Sequence, residues 1–219
     1  RSVVVVTGEG SVRRAVSLVA LRLVSPGGEL FVQIGTIGDG GCKPCCQLPG
    51  TKQEANETVG ESFGRLVASK LGRLLADRIE LSEVQEEITE RKSQAFGLCT
   101  RYLCMVSPAT MKPGTTIDAP SVAYTSEGVS LVVSHRSTTT RHARRFDMLG
   151  IGQRAVWAVP KTQSIDADTW ECYAWLTPKE FAALGSGARG ESMTMHWLSL
   201  LVPPKGALGA TASDDNLWI

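Results

Sequence analysis

The feature that most constrains the fold is a run of four valines near the start of the chain, Val3 to Val6. A continuous β-branched segment bounded by glycine predicts a strand buried on both faces, as in a sheet covered by helices. Gly8 and Gly10 end the run, and Ser11 is a residue type favoured at a helix N-cap. The chain is therefore expected to open with a buried strand followed by a helix.

The next segment supports this expectation. Its apolar residues recur at helical spacing: Val12, Ala15, Val16, Val19, Ala20 and Leu23. Pro26-Gly27-Gly28 is expected to end that helix, and Leu30 to Ile34 predicts a second buried strand. A strand, a crossover helix and a second strand form a βαβ unit with parallel strands.

The remaining elements divide the chain into two regions. In the first, Lys52–Ala76 predicts a long helix, Ser82–Lys92 a short acidic helix opened by a capping box, and Ala95–Val106 a third strand. The predicted fold class is therefore α/β, with a Rossmann-like βαβ sheet over residues 1–107. A proline-rich linker, 108–120, follows.

The second region, 121–219, is expected to be β-rich α+β. Ala155–Val159, Trp170–Leu176 and Ser192–Val202 predict strands, and Thr177-Pro178-Lys179-Glu180 is a capping box that opens a short helix. Trp157, Trp170, Tyr173 and Trp175 are expected in the core, with a base-stacking surface as the alternative. Whether the two regions pack as one domain is left open.

One stretch resembles the C-terminal half of a Rossmann-like S-adenosylmethionine-dependent methyltransferase fold. Leu21 to Gly28 gives the Leu-rich helix end and the Pro-Gly-Gly, Glu29 to Ile34 gives the strand that follows, and Lys92 to Val106 is similar to the family's last strand. The RNA ribose 2′-O-methyltransferase branch implies a lysine where Gln33 stands and a glutamate near Tyr102. Because neither is matched, the resemblance implies a methyltransferase-like module without activity, and RNA-virus replication proteins are the nearest comparison.

The leading hypothesis for function follows from this resemblance and from a basic stretch. It is a non-catalytic module of a viral replication or RNA-handling protein that binds RNA. Two alternatives stay open: a structural, coat-like protein that acts by self-association, and a fragment of an active RNA methyltransferase. No catalytic residue is assigned, so the chain is not expected to be an enzyme.

The basic stretch is His135–Arg145, which has no acidic residue. Guanidinium and hydroxyl groups suit phosphate oxygens. The predicted RNA-binding residues are His135, Arg136, Arg141, His142, Arg144 and Arg145. The alternative is a solvated basic loop that pairs with the acidic segment around Glu83–Glu90.

A weaker phosphate site is predicted at Gly8 and Gly10, where free N–H groups at a helix start could cradle an anion beside Arg13 and Arg14. The alternative is a plain glycine-rich turn. Cys42 and Cys45 have the spacing of two zinc ligands across a tight turn, with a loop carrying free thiols as the alternative. Zinc is the one candidate cofactor.

Composition sets the remaining expectations. The net charge of +1 gives no global attraction to nucleic acid or membrane, and no apolar run approaches the roughly 20 residues of a membrane-spanning helix. Six cysteines in 219 residues do not form a disulfide framework, so a reducing, cytoplasmic location is expected. Because the chain opens on Arg1, it is interpreted as a fragment or a processed product.

Overall fold

The computed structural model describes residues 2–6, 8, 10, 12–38, 40–75, 77–92, 99–117, 119, 121–125, 151, 154–161 and 169–204. Within these ranges the side chains of Arg73, Arg91 and Lys92 are not described. The basic stretch His135–Arg145 lies outside the described residues, so the RNA contacts assigned to it stay a prediction.

A mixed β-sheet forms the centre of the molecule. Its strands are β1 (Ser2–Val6), β2 (Val12–Val24), β3 (Leu30–Gly38), β4 (Lys43–Gln47), β5 (Gly50–Lys52), β6 (Ile79–Leu81), β7 (Gln85–Lys92), β8 (Cys99–Met111), β9 (Val156–Pro160) and β10 (Thr169–Leu176). The main path across the sheet runs β6-β8-β2-β3-β10-β9. β2 and β8 are parallel, and the other pairings are antiparallel.

Helices cover both faces of the sheet. On one face lies a continuous helical rod made of α1 (Val59–Leu66), a π-helical segment (Val67–Leu71) and α2 (Gly72–Leu75). On the other face lie α3 (Pro178–Leu184) and α4 (Gly187–Ser199). The described residues therefore form a β-rich α/β/α sandwich.

Each face of the sheet has its own hydrophobic core, and the side chains of β3 point alternately into the two cores. Val32 and Ile34 enter the core under α3 and α4 beside Trp197, whereas Phe31 enters the core under α1 and α2 beside Leu66. The Phe31 ring stacks on the Tyr173 ring with centroids 5.5 Å apart. Trp157 and Trp175 also pack against this second core, which fits the expectation that they are core residues.

The predicted Rossmann-like fold class is wrong, because Val12–Val24 is a strand and not a crossover helix. β1 and β2 pair antiparallel, and β2 and β3 form a hairpin. The hairpin turn is closed by a hydrogen bond that the Ser25 N–H donates to the Glu29 carbonyl oxygen at 2.8 Å. The helical stripe was misleading because β2 is buried on both faces. Leu21 and Leu23 point to the core under α1, and Val16, on the opposite face, is buried as well.

Two further elements have the opposite type from that predicted. Residues 85–92 form β7 rather than an acidic helix, because they pair with β8 from Gln85↔Val106 to Lys92↔Cys99. The predicted last strand is α4, in which Gly190, Met193, Thr194, Trp197 and Leu198 are buried at helical spacing. The predicted strands near Leu30, Val156 and Trp170, and the Thr177 capping box, are confirmed.

We expect Gly35→Ala to destabilise the fold by about 3 kcal/mol, through crowding and backbone strain. Gly35 has φ +152°, and an added Cβ would lie 2.5 Å from both the Lys43 carbonyl oxygen and Leu198 Cδ1. Gly40→Ala is the control, since nothing lies within 4 Å of its added Cβ. Urea denaturation of both variants measures the difference, and equal midpoints would contradict the expected crowding.

Candidate functional site

The site lies where β2 and β3 separate. The two strands pair only at Val24↔Leu30, beside their turn, and then diverge. The segment from β4 to β5 enters the gap: β4 pairs with β3, and β5 pairs with β2.

Close backbone approach holds this segment in the gap. The Leu21 N–H donates to the Pro49 carbonyl oxygen at 2.8 Å. At Gly50 an added Cβ would lie 2.8 Å from the Val19 carbonyl oxygen, so a larger residue would push β5 away from β2. Pro49 and Gly50 thus allow the chain to cross from its pairing with β3 to its pairing with β2.

A polar cluster lies on the α1 side of the gap, and we call it the inner cluster: Gln33, Cys45, Gln47, Lys70, Glu171 and Tyr173. Lys70 Nζ lies 3.5 Å from Glu171 Oε1 and donates to the Gly50 carbonyl oxygen at 3.1 Å. The Tyr173 hydroxyl donates to Glu171 Oε2 at 2.7 Å. Glu171 is only 6% exposed, so these two partners compensate a charge that would otherwise be costly to bury.

The rest of the inner cluster is hydrogen-bonded but uncharged. Gln47 Nε2 donates to Gln33 Oε1 at 3.4 Å, and the Cys45 thiol donates to the Gln33 carbonyl oxygen at 3.7 Å. Burial and the nearby Glu171 carboxylate raise the pKa of Cys45 to about 11. Burial, followed by the same carboxylate, also raises the pKa of Tyr173. Both groups are therefore protonated at neutral pH, and neither is an activated nucleophile.

Two backbone irregularities converge on the inner cluster. Cys172 pairs with Gly35 whereas Tyr173 pairs with Gln33, so Ile34 is an extra residue in β3. Because of this bulge, Gln33 and Thr36 lie on the same face of the sheet. Their cross-strand neighbours on β10 are Tyr173 and Glu171. Lys70 lies in the π-helical segment between α1 and α2. Bulges and π-segments are over-represented at functional sites.

The loop that leads from β5 to α1 is held by Arg65. Its guanidinium makes a bidentate contact with Glu57, at 2.8 Å and 2.9 Å, and donates to the Lys52 carbonyl oxygen at 2.8 Å. Thr58 and Glu61 form a capping box that starts α1. The hydrogen bond from Arg65, and after it the hydrogen bond from the Glu54 backbone N–H, lower the pKa of Glu57 to about 2. The loop is therefore tied to α1 by charged hydrogen bonds.

A polar hollow of about 300 Å³ lies on the α4 side of the gap, beside β4. Its lining residues are Pro44, Cys45, Cys46, Gln47, Leu184, Gly185, Gly187, Glu191 and Thr194. Glu191 is exposed at α4, and it is the one residue in this lining with a formal charge. The Cys46 thiol donates to the Phe181 carbonyl oxygen at 3.8 Å, which ties β4 to α3 at the base of the hollow.

Sequence reasoning singled out other residues. Gly8 lies in the turn between β1 and β2, and the described residues that follow form strand β2 rather than the expected helix start. The phosphate site at Gly8, Gly10, Arg13 and Arg14 is not tested and stays a prediction. Cys42 packs against the core under α3 and α4, whereas the Cys45 thiol is directed to Gln33. In the described part of the chain no group of three or more His, Cys, Asp or Glu side chains could hold a metal.

The inner cluster and Glu191 were missed. A signal for part of the cluster was present in the sequence: Glu171 is a charged residue inside the apolar run Trp170–Leu176, and Gln33 interrupts Leu30–Ile34 in the same way. A polar side chain in a buried strand requires a partner. Which partner Glu171 has depends on the packing of the helical rod, which the sequence pattern does not give.

No family model matches the sequence, and no curated protein does. Among solved structures, the chain is similar to a Nudix hydrolase from M. smegmatis, RenU, with 19% identity, a TM-score of 0.31, and coverage of 54% of this chain and 76% of that one. It is also similar to the MutT protein of Methanosarcina mazei Go1, with 14% identity, a TM-score of 0.33, and coverage of 61% and 94%. For a Nudix hydrolase from Nitrosomonas europaea the identity is 15%, the TM-score 0.31, and the coverage 62% and 90%.

The fold corrects the functional hypothesis. The methyltransferase-like assignment is wrong, because it required a βαβ unit that the structure replaces with antiparallel hairpins. The non-catalytic RNA-handling module inferred from it is wrong, as are its coat-like and methyltransferase alternatives, whereas self-association as such is untested and stays a prediction. None of the described helices combines the length and the apolar composition of a membrane-spanning helix.

We expect Lys70→Met to destabilise the protein by about 3 kcal/mol, because it leaves the buried Glu171 carboxylate without its cation. The double variant K70M/E171Q should recover much of that loss, since no charge is then buried. Arg22→Met, which breaks the more exposed Arg22–Glu87 pair, is the control and should change stability by about 1 kcal/mol or less. If K70M and R22M unfold at the same urea concentration, the inner cluster is not coupled as described.

We also expect acid to weaken the contacts that tie the loop between β5 and α1 to Arg65. Because the pKa of Glu57 is depressed to about 2 in the fold, its contribution is complete above its ordinary value of 4.5 and is lost as the pH falls toward 2. Glu57→Gln should therefore lower the melting temperature at pH 7 and flatten its decline below pH 4.5. Calorimetry from pH 7 to pH 2 measures this, with Glu86→Gln on β7 as the control. Parallel curves for the wild type and E57Q would exclude this role.

Proposed function

We propose that the chain is a binding module for a small polar molecule that is neutral or positively charged, and that the ligand occupies the hollow beside β4. The observation that carries the proposal is the chemistry of the lining. It combines open volume, polar atoms and the Glu191 carboxylate. No lysine or arginine is among the described residues that line it.

The volume supports a small ligand. About 300 Å³ lies at the lower end of the range for ligand pockets. The ends of two helices meet there, since Leu184 and Gly185 end α3 and Gly187 begins α4. Their backbone groups, together with four consecutive residues of β4, offer hydrogen-bond donors and acceptors to a polar molecule.

The charge distribution selects the ligand class. A cation or a hydrogen-bond donor gains from the Glu191 carboxylate, whereas a phosphate would meet that charge directly. Lys70, the nearby cation of the inner cluster, is paired with Glu171. The inner cluster therefore does not bind the ligand directly. Through the hydrogen bonds of Cys45 and Gln47 to Gln33 it fixes β4, the strand that forms one wall of the hollow.

The proposal extends to the cellular compartment of the protein. All six cysteines are free thiols. Burial raises the pKa of Cys46 to about 12 and, foremost among several causes, that of Cys172 also to about 12. Thiols of this kind suit a reducing compartment, and we propose a cytoplasmic location.

The test is a thermal-shift screen of the full chain with primary amines, amino acids and nucleosides, beside nucleoside diphosphates as the anionic class. We expect at least one amine-bearing or neutral compound to raise the melting temperature, because a ligand that binds only the folded state stabilises it. Glu191→Gln should lower the affinity of the protein for that compound by roughly tenfold, and Glu191→Arg should lower it further. Glu86→Gln is the matched control on a distant strand.

Two results would overturn the proposal. One is a screen in which no neutral or cationic compound shifts the melting temperature. The other is a ligand whose affinity does not change when Glu191 is replaced.

A further inference from the structure

The outer edge of β1 is the exposed feature that the ligand-binding proposal does not use. β1 pairs with β2 along one edge, from Ser2↔Val16 to Val6↔Val12. Within the described ranges no strand pairs with its other edge. In an antiparallel pair only alternate residues bond to the neighbour, so N–H and C=O groups of β1 face outward.

The side chains of this edge are apolar and exposed. Val3, Val4, Val5 and Val6 are 39%, 62%, 48% and 66% exposed, with Val3 and Val5 on one face of the sheet and Val4 and Val6 on the other. All four side chains are therefore partly open to solvent on both faces of the strand. An open, uncharged, β-branched edge is a template for pairing with another strand.

The charges of the other edges show which strand fits. β7 is also an edge strand, but it carries Glu86, Glu87 and Glu90, which oppose pairing with an apolar strand. β6 carries Glu80, β5 carries Lys52, and β4 carries Lys43. β9 has no charge, but its edge is covered, because the Val122 N–H donates to the Val156 carbonyl oxygen at 2.7 Å. Among the described strands, the uncharged open edge is β1 itself.

We propose that β1 pairs with β1 of a second copy of this chain, antiparallel across a two-fold axis, so that the two sheets become one. With the axis at Val4, Val3 lies opposite the partner's Val5 and Val4 opposite the partner's Val4. Val3, Val4 and Val5 then each meet a valine of the partner on the same face of the joined sheet, and Val6 lies opposite the partner's Ser2, as an isologous interface requires.

The neighbouring charges permit this arrangement. Arg13 and Arg14 lie on β2, one strand inside the edge, and Arg14 Nε donates to Ser2 Oγ at 2.8 Å. In the proposed pair the two β2 strands are three strand spacings apart, about 14 Å. That separation exceeds the Debye length of about 8 Å at physiological ionic strength, so the repulsion between arginines is screened.

The first experiment is sedimentation equilibrium of the full chain over a dilution series. We expect a reversible monomer–dimer equilibrium. Val4→Lys should weaken dimerisation by at least about tenfold, because its ammonium group would lie against its own copy at the axis. Ile88→Lys is the control, since Ile88 is also an exposed residue (48%, against 62% for Val4) on the other edge of the same sheet, and it should leave the dimer intact.

The second experiment tests the register and does not depend on how tightly the dimer forms. Val4→Cys should oxidise to an intermolecular disulfide, because opposed residues bring their Cα atoms to about 4.5–5.5 Å. Val3→Cys should cross-link far less, because Val3 faces the partner's Val5. A monomer at every concentration, a dimer unaffected by V4K, or equal cross-linking of the two cysteine variants would each overturn the proposal.

Circular dichroism of V4K shows whether the variant is folded, so that a loss of dimerisation can be told apart from a folding defect. Val4→Thr, which keeps β propensity and carries no charge, should retain dimerisation. Because Glu191 lies on α4, Glu191→Gln should leave the dimer unchanged, which keeps this proposal independent of the ligand-binding one.

Discussion

The structure depends on the way β2 and β3 separate after their shared turn. The two strands pair at a single register position, Val24↔Leu30, and beyond it β3 pairs with β4 and β2 pairs with β5 of the inserted segment. Because that segment must satisfy the backbone groups of both strands, its geometry is narrowly constrained. Pro49 and Gly50 meet the constraint with a hydrogen bond to Leu21 and a close approach to Val19.

The polar groups of the site follow from the same separation. A gap in a sheet exposes backbone and side chains to the layer above it, and here the helical rod closes the gap with Lys70. The bulge at Ile34 turns Gln33 toward the same point, and β10 supplies Glu171 and Tyr173. The result is a charge pair that stabilises the fold and at the same time fixes one wall of the hollow. Removing either charge alone is therefore expected to affect stability before it affects binding.

A second network performs a similar task on the other side of the sheet. Arg154 forms a bidentate contact with Glu180, the residue that completes the capping box of α3, and also contacts Glu29 beside the turn between β2 and β3. The Tyr124 hydroxyl donates to the Arg154 carbonyl oxygen and accepts from Trp197 of α4. Thus the helices that line the hollow are tied to the strand turn from which the gap opens.

The sequence by itself determined the elements whose signal is local. The Thr177 capping box with Pro178, the turn at Pro26-Gly27-Gly28, and the apolar strands near Leu30 and Trp170 are each specified by neighbouring residues. Only the tertiary structure decided the type of Val12–Val24, of Gln85–Lys92 and of Gly187–Ser199. The first two are strands because β8 pairs with both of them, a contact between residues far apart in the chain. The partner of Glu171 was decided in the same way, since an apolar strand with one carboxylate requires a cation but does not say which helix brings it.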